Sequence, residues 1–227
     1  MIEATLLEKL KAYDTPTICN AMEIVAPERR LMGFTIRPLV CPFPQMPPIV
    51  GYAKTATIRA THAHELDAKA QRAQRIAYCE YIAGKPAPGI MVIQDLDGAE
   101  VGFGAFWGEV QTNVHKALGV LGVVTNGSVR DIPMVAKGFQ MLAGSLSPSH
   151  AFVRIEEFGS PVSVHGMDVK SGDLIHADQH GAVVVPADKV LEMMKALEGL
   201  TEREAAIIEA ANEPEVSLEK LKAAIKG

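Results

Sequence analysis

Arg130 and Asp131 stand side by side in GVVTNGSVRDIP, residues 122–133. A guanidinium next to a carboxylate offers two chemistries: the first neutralises an oxyanion, the second ligates a hard cation. Asn126-Gly127 just ahead is also the strongest two-residue hairpin signal, and in a hairpin both charges would simply be solvated. A second stretch, GFGAFWGEV (102–110), is glycine-rich and runs into a helix pattern. Free N–H groups at a helix start bind anions, with help from the macrodipole. Its acid, Glu109, falls in the first turn, where a carboxylate complements the dipole by roughly 0.3–1 kcal/mol without further use. Gly102 and Gly104 do not make a dinucleotide fingerprint, because the third glycine is out of register. Order along the chain favours a functional reading of both stretches. They lie on successive strand–helix–strand elements, and ligands of open α/β sheets bind at the carboxyl ends of strands. Both charged groups are therefore expected at one edge.

The histidines give a weaker signal. His62 and His64, with Asp67 nearby, have the spacing of a metal pair, whereas His115, His150, His165, His176 and His180 are scattered and no HExxH occurs. No serine elbow or P-loop appears, so nucleophilic catalysis of that kind is unsupported. Cys19, Cys41 and Cys79 are far apart and odd in number, which speaks against a disulfide framework or a cysteine zinc site.

The elements that must position these groups follow from pattern. Leu6, Leu7 and Leu10 give a first helix its stripe, and Thr15-Pro16 fits an N-cap followed by proline at the first helical position. Five prolines in residues 37–48 predict an extended loop. GYAKTATIRAT alternates like a strand. Residues 64–83 suit a helix with Leu66, Ala70, Ala73 and Ala77 on one face and Gly84 at its end. IMVIQDLDG reads as a buried strand. GEVQTNVHKALG reads as a helix presenting Val110, Val114, Ala117 and Leu118, closed by Gly119, and GVVT as another strand. Short apolar runs between turns predict strands over 139–186, and helix resumes from 187 with a break at Pro214. Together these predict a layered α/β fold: one domain over residues 1–227, with its core at about 50–190 and helical extensions at 1–36 and 187–227.

Composition narrows the function. The 227 residues are 48% apolar and 22% charged, with a formal net charge of −5 and no basic stripe. Nucleic acid is therefore not expected as a ligand, since phosphate binding needs clustered Lys and Arg. A small anionic substrate needs only one or two cations and stays open. The acidic, amphipathic start is unlike a signal peptide, and no apolar run reaches the roughly 20 residues of a membrane span, so a cytoplasmic protein is expected.

GEVQTNVHKALGVLGVVTNGSVRD resembles the core of the RraA-like family, which includes the 4-hydroxy-4-methyl-2-oxoglutarate (HMG) aldolases and the regulators of ribonuclease E activity. An acid, twenty intervening residues and then Arg-Asp mark its aldolases, and Glu109 with Arg130-Asp131 has that spacing. GMDVKSGDLIHADQHGAVVVP is similar to the family's closing segment, from Gly172 to Pro186.

The resemblance implies a β/β/α fold like the swivelling phosphohistidine domain, assembled as a homotrimer or a hexamer of two trimers with sites between subunits. It implies Mg2+ or Mn2+ on Asp131, with Glu109 reaching the metal through water and Arg130 on the substrate's oxygens. It also implies the backbone of Gly108, Glu109, Val110 and Gln111 receiving the carboxylate of a 2-oxo acid. Physical chemistry is consistent with these roles, since cleaving a C–C bond beside a ketone leaves an enolate whose charge a Lewis acid and a guanidinium both stabilise. Two features depart from the aldolases. Glu109 replaces an aspartate, moving the carboxylate by about 1.5 Å. The acid those enzymes borrow from a neighbouring subunit has three candidates here, Glu202, Glu204 and Glu209. The alternative reading is a non-enzymatic regulator that binds ribonuclease E or another protein, and the acid at position 109 counts against it.

Overall fold

The computed structural model describes residues 2–63, 65–214 and 216–226. In chain order the elements are α1 (Ala4–Leu10), α2 (Thr15–Val25), β1 (Ile49–Arg59), α3 (Ala68–Ala83), β2 (Gly89–Asp95), α4 (Glu109–Ala117), β3 (Val120–Val129) and β4 (Gln140–Leu146). They continue with β5 (Arg154–Phe158), β6 (Val162–Val164), β7 (Met167–Val169), β8 (Leu174–Asp178), β9 (Gly181–Val185), α5 (Val190–Ala211) and α6 (Leu218–Lys226). One sheet runs β4-β3-β2-β1-β8-β9, with β5 pairing the far end of β1, and β6-β7 form a separate hairpin. Strands β1 to β4 are parallel to their neighbours, whereas β8, β9 and β5 join antiparallel.

The period-two alternation of the strands builds the layers. Met91 and Ile93 of β2 face one cluster with Val123, Met141, Tyr78 and Trp107, under α3 and α4. Ile90 and Val92 face the other side, with Val124, Leu142 and the β6-β7 residues Val162, Val164 and Met167. The result is the expected mixed α/β fold, with a small hairpin on one face of the sheet and helices on the other. A third cluster packs α1, α2 and α5 over β1, β8 and β9. No helix among the described residues is long and apolar enough to cross a membrane.

Local structure departs from expectation at four places, each for a visible reason. The cap of α2 is Asp14, whose carboxylate accepts from the Thr17 N–H, so Thr15 is already helical. Asp67 caps α3 in the same way, taking the N–H groups of Lys69 and Ala70, so that helix starts at Ala68 rather than 64. Its buried residues are Tyr78 and Ile82, while Leu66, Ala73 and Ala77 are exposed. In α4 the expected face is only partly inward: Val110 and Ala117 are exposed and Val114 and Leu118 half-buried, whereas Thr112 and His115 are buried. Burial suits these polar residues because every polar atom has a partner. Thr112 Oγ1 donates to the Gly108 carbonyl and accepts the Ala136 N–H. His115 Nδ1 lies 2.7 Å from the Gln111 carbonyl and therefore carries hydrogen, leaving Nε2 to accept from Tyr78 Oη at 3.0 Å.

Burial pushes the His115 pKa down from 6.5 to about 4. The native state thus refuses a proton that the unfolded chain accepts. Stability is fully present above pH 6.5 and is lost as pH falls toward about 4. The expected loss from this group is up to about 3 kcal/mol. Burial lowers His176 as well and acts in the same direction, while the raised Asp95 acts in the opposite one. Urea titrations at neutral and mildly acidic pH should show this slope, and His115→Gln should flatten it. Identical slopes in both proteins would mean that His115 charges freely in the fold.

Candidate active site

Asn126-Gly127 forms no hairpin. Strand β3 runs through it, with a register shift against β4 between Thr125 and Ser128. The bulge turns the Asn126 amide onto the neighbouring strand, where it accepts the Asp95 N–H at 2.7 Å and donates to the Asp95 carbonyl at 3.0 Å. Asp95 then fixes the glycine-rich turn through its carboxylate, which accepts from Gly102 and Asp97. Gly102 has φ of +85°, and a Cβ there would meet Ser145 Oγ at 2.4 Å, so glycine is required on both counts. The chain next pairs Trp107 with Val129, and the Arg130 N–H donates to the Trp107 carbonyl at 2.8 Å. The two stretches singled out by the sequence therefore meet at one sheet edge.

Helix α4 begins there with Gly108 as its N-cap, a residue with no side chain to satisfy the first amides. Asp131, from the other stretch, takes over that role: its Oδ2 accepts the Glu109 N–H at 3.3 Å. The amides of Val110 and Gln111 have no acceptor among the described residues. Asp131 sits in the left-handed region at φ 53°, a conformation that aspartate tolerates better than most residues. Arg130 Nε lies 3.5 Å from Asp131 Oδ2, and each side chain is about one-third exposed. Gly108, Glu109, Val110, Gln111, Arg130 and Asp131 all line one cavity of about 350 Å³. This arrangement places a cation, a carboxylate and two unpaired amides around a space large enough for a small oxo acid.

The same wall holds a residue that sequence order did not single out, His150. Its Nδ1 is 2.6 Å from the Ala151 carbonyl and so carries hydrogen, which makes Nε2 the acceptor nitrogen of the neutral ring. The loop is held by the Ala105 N–H on the Ser149 carbonyl and by the Ala151 N–H on Ser149 Oγ. SPSH predicts a turn, but nothing in that turn says which cavity it borders.

Other expected residues lie elsewhere. Glu202, Glu204 and Glu209 are exposed on α5, and none lines this chain's own cavity. His62 is exposed, with Nδ1 2.9 Å from Thr61 Oγ1, and also lies outside the cavity, while His64 falls outside the described residues. The described residues contain no group of three His, Cys, Asp or Glu that could hold a metal. The donors at the cavity, the carboxylates of Asp131 and Glu109, are hard oxygens of the type that magnesium takes together with waters.

The profile of the RraA-like family, described as Aldolase/RraA, matches residues 15–184, well over half of the chain. A Halalkalibacterium halodurans protein provisionally named a 4-hydroxy-4-methyl-2-oxoglutarate aldolase is 28% identical over 147 residues, covering 60% of this chain and 66% of that protein. Two other curated relatives are matched over only 18% and 51% of their length. Among solved structures, an uncharacterized Pseudomonas syringae protein superposes with a TM-score of 0.73 at 22% identity, covering 98% of this chain and 94% of that one. Streptomyces coelicolor RraAS2, described as an unusual member of the RNase ES inhibitor RraA family, gives 0.67 at 21% identity over 90% and 94%. The names attached to these relatives thus include an aldolase and a member of a ribonuclease-inhibitor family. With its profile match spanning the sheet, the glycine-rich turn and the Arg-Asp pair, the chain belongs to the RraA-like family.

Proposed function

We propose that the chain is a divalent-metal-dependent lyase that cleaves a C–C bond of a 2-oxo acid to release pyruvate, with oxaloacetate decarboxylation as a second outcome of the same site. The observation that carries this reading is the convergence of Asp131, Arg130 and the open amides of Val110 and Gln111 on one cavity. Mg2+ or Mn2+ held by Asp131, with Glu109 reaching it through water, would supply Lewis-acid polarisation of the keto group.

The protein's own groups account for the rest. The amides of Val110 and Gln111 receive the substrate carboxylate at the positive end of α4. Arg130 faces the keto oxygen and offsets the charge that grows there as the bond breaks. In retro-aldol cleavage the hydroxyl proton leaves and its oxygen becomes the new carbonyl. The bonding pair stays on the pyruvate carbon as an enolate, which a proton then quenches. His150, which lines the same cavity, accepts the first proton and returns it. In decarboxylation, carbon dioxide leaves in place of the carbonyl fragment and the enolate is the same. Homotrimers or hexamers would let Glu204, or its neighbours Glu202 and Glu209, reach an adjoining subunit's cavity.

The test is direct. Purified protein with Mg2+ or Mn2+ should release pyruvate from oxaloacetate and from HMG, and chelation should stop it. Tight association with ribonuclease E, with no turnover of either acid, would reverse the reading in favour of a regulator.

A further inference from the structure

Beside the active-site cavity lies a second one of about 340 Å³, between α3, α4 and β5. The two share Phe106, Gln111 and Val153. The second is walled by the rings of Tyr78 and Phe106, whose centroids stand 6.4 Å apart edge to face. Arg72, Arg75 and Arg154 line it, and no carboxylate does so among the described residues. His115 also borders it but is neutral near pH 7, its pKa being lowered to about 4.

The three guanidinium groups differ in how far they are committed. Arg154 Nε is 2.6 Å from Glu156 Oε1, and its Nη1 donates to the His62 carbonyl, so its charge is already answered. Arg72 uses Nε on the Ala68 carbonyl at 3.3 Å, within its own helix. The Arg75 guanidinium has no hydrogen bond or ion pair among the described residues. An apolar, aromatic-walled space with two uncompensated cations selects a ligand with an apolar body and an anionic end.

We propose that this cavity receives the leaving carbonyl fragment of the substrate. The fragment has a flat, apolar body and ends in an anionic group held by Arg75 and Arg72. The inference rests on the lyase reading for the reacting end, which the first cavity holds. The shared residues Phe106, Gln111 and Val153 form the wall common to the two, across which such a substrate would lie. Bond cleavage then occurs beside this shared wall, and the fragment's new carbonyl forms there without any co-reactant.

The experiment runs the reaction in the aldol direction, with pyruvate, Mg2+ and a pair of aldehydes, 4-carboxybenzaldehyde and benzaldehyde. The wild-type protein should favour the carboxylated aldehyde by about tenfold or more in kcat/KM. Arg75→Gln should lose most of that preference, Arg72→Gln with Arg75→Gln should abolish it, and Arg75→Lys should recover part of it. A preference that survives the double substitution, or is absent from the wild type, overturns the proposal. Oxaloacetate decarboxylation by the wild type reports separately on the lyase reading. If that reaction fails, calorimetric titration with terephthalate still decides on the subsite. Binding weakened about tenfold by Arg75→Gln supports it, and no binding, or binding indifferent to Arg75, removes it.

Discussion

Asp131→Asn should lower pyruvate release from oxaloacetate by about a thousandfold or more while leaving the thermal midpoint nearly unchanged. Asparagine keeps the size of the side chain and an oxygen able to accept the Glu109 N–H, so the start of α4 stays capped. It also tolerates the left-handed backbone that residue 131 adopts at φ 53°. What it lacks is the negative charge, which is the only property that cation ligation and the pairing with Arg130 both need. Asp131→Ala is the less informative variant, because it also removes the cap, costing about 1 kcal/mol. Alanine in the left-handed region costs roughly 1–2 kcal/mol more. If Asp131→Asn retained more than about a tenth of the activity, Asp131 would be a helix cap and not a ligand.

Gly108→Ala should cost at least about a hundredfold in the same assay, although it adds only a methyl group. The backbone at Gly108 is extended, with φ −164°, so alanine meets no conformational penalty. The obstacle is contact: a Cβ would lie 2.5 Å from Asp131 Oδ2 and 3.2 Å from Arg130 Cγ. The carboxylate must move, and displacement by about 1 Å at a reacting centre is enough for that loss. Gly199→Ala, in α5 with nothing within 4 Å of the added atom, is the matched control and should be neutral or slightly stabilising. Full activity in Gly108→Ala would show that the position of Asp131 is not critical.

Much of this site could be read from residue order. Glu109 and Arg130-Asp131 lie on successive elements of a parallel sheet, and the rule that such ends converge put them at one edge before any coordinates. The strands were legible because Ile90 to Ile93 and Val123-Val124 are apolar on both faces, as a covered parallel sheet requires. The face of α4 was not legible, since periodicity counts apolar residues and cannot see that Thr112 and His115 have all their polar atoms satisfied. Asn126-Gly127 misled for a related reason. Its local preference is a turn, but pairing with β4 resumes at Ser128, and the bulge in between puts the amide to use on Asp95. His150 and Arg75 reach their cavities through tertiary packing alone, which no spacing in the sequence announces.

The borrowed cap has a thermodynamic consequence. One oxygen of Asp131 serves the first amide of α4, so whatever draws that oxygen away leaves the helix start without its partner. If Asp131 ligates a cation as proposed, occupancy and the integrity of that helical turn are linked equilibria, and each shifts the other by the same free energy. On the proposed lyase reading the Glu109 amide is a built-in gauge: its hydrogen should exchange faster when a cation occupies Asp131 than when the site is empty.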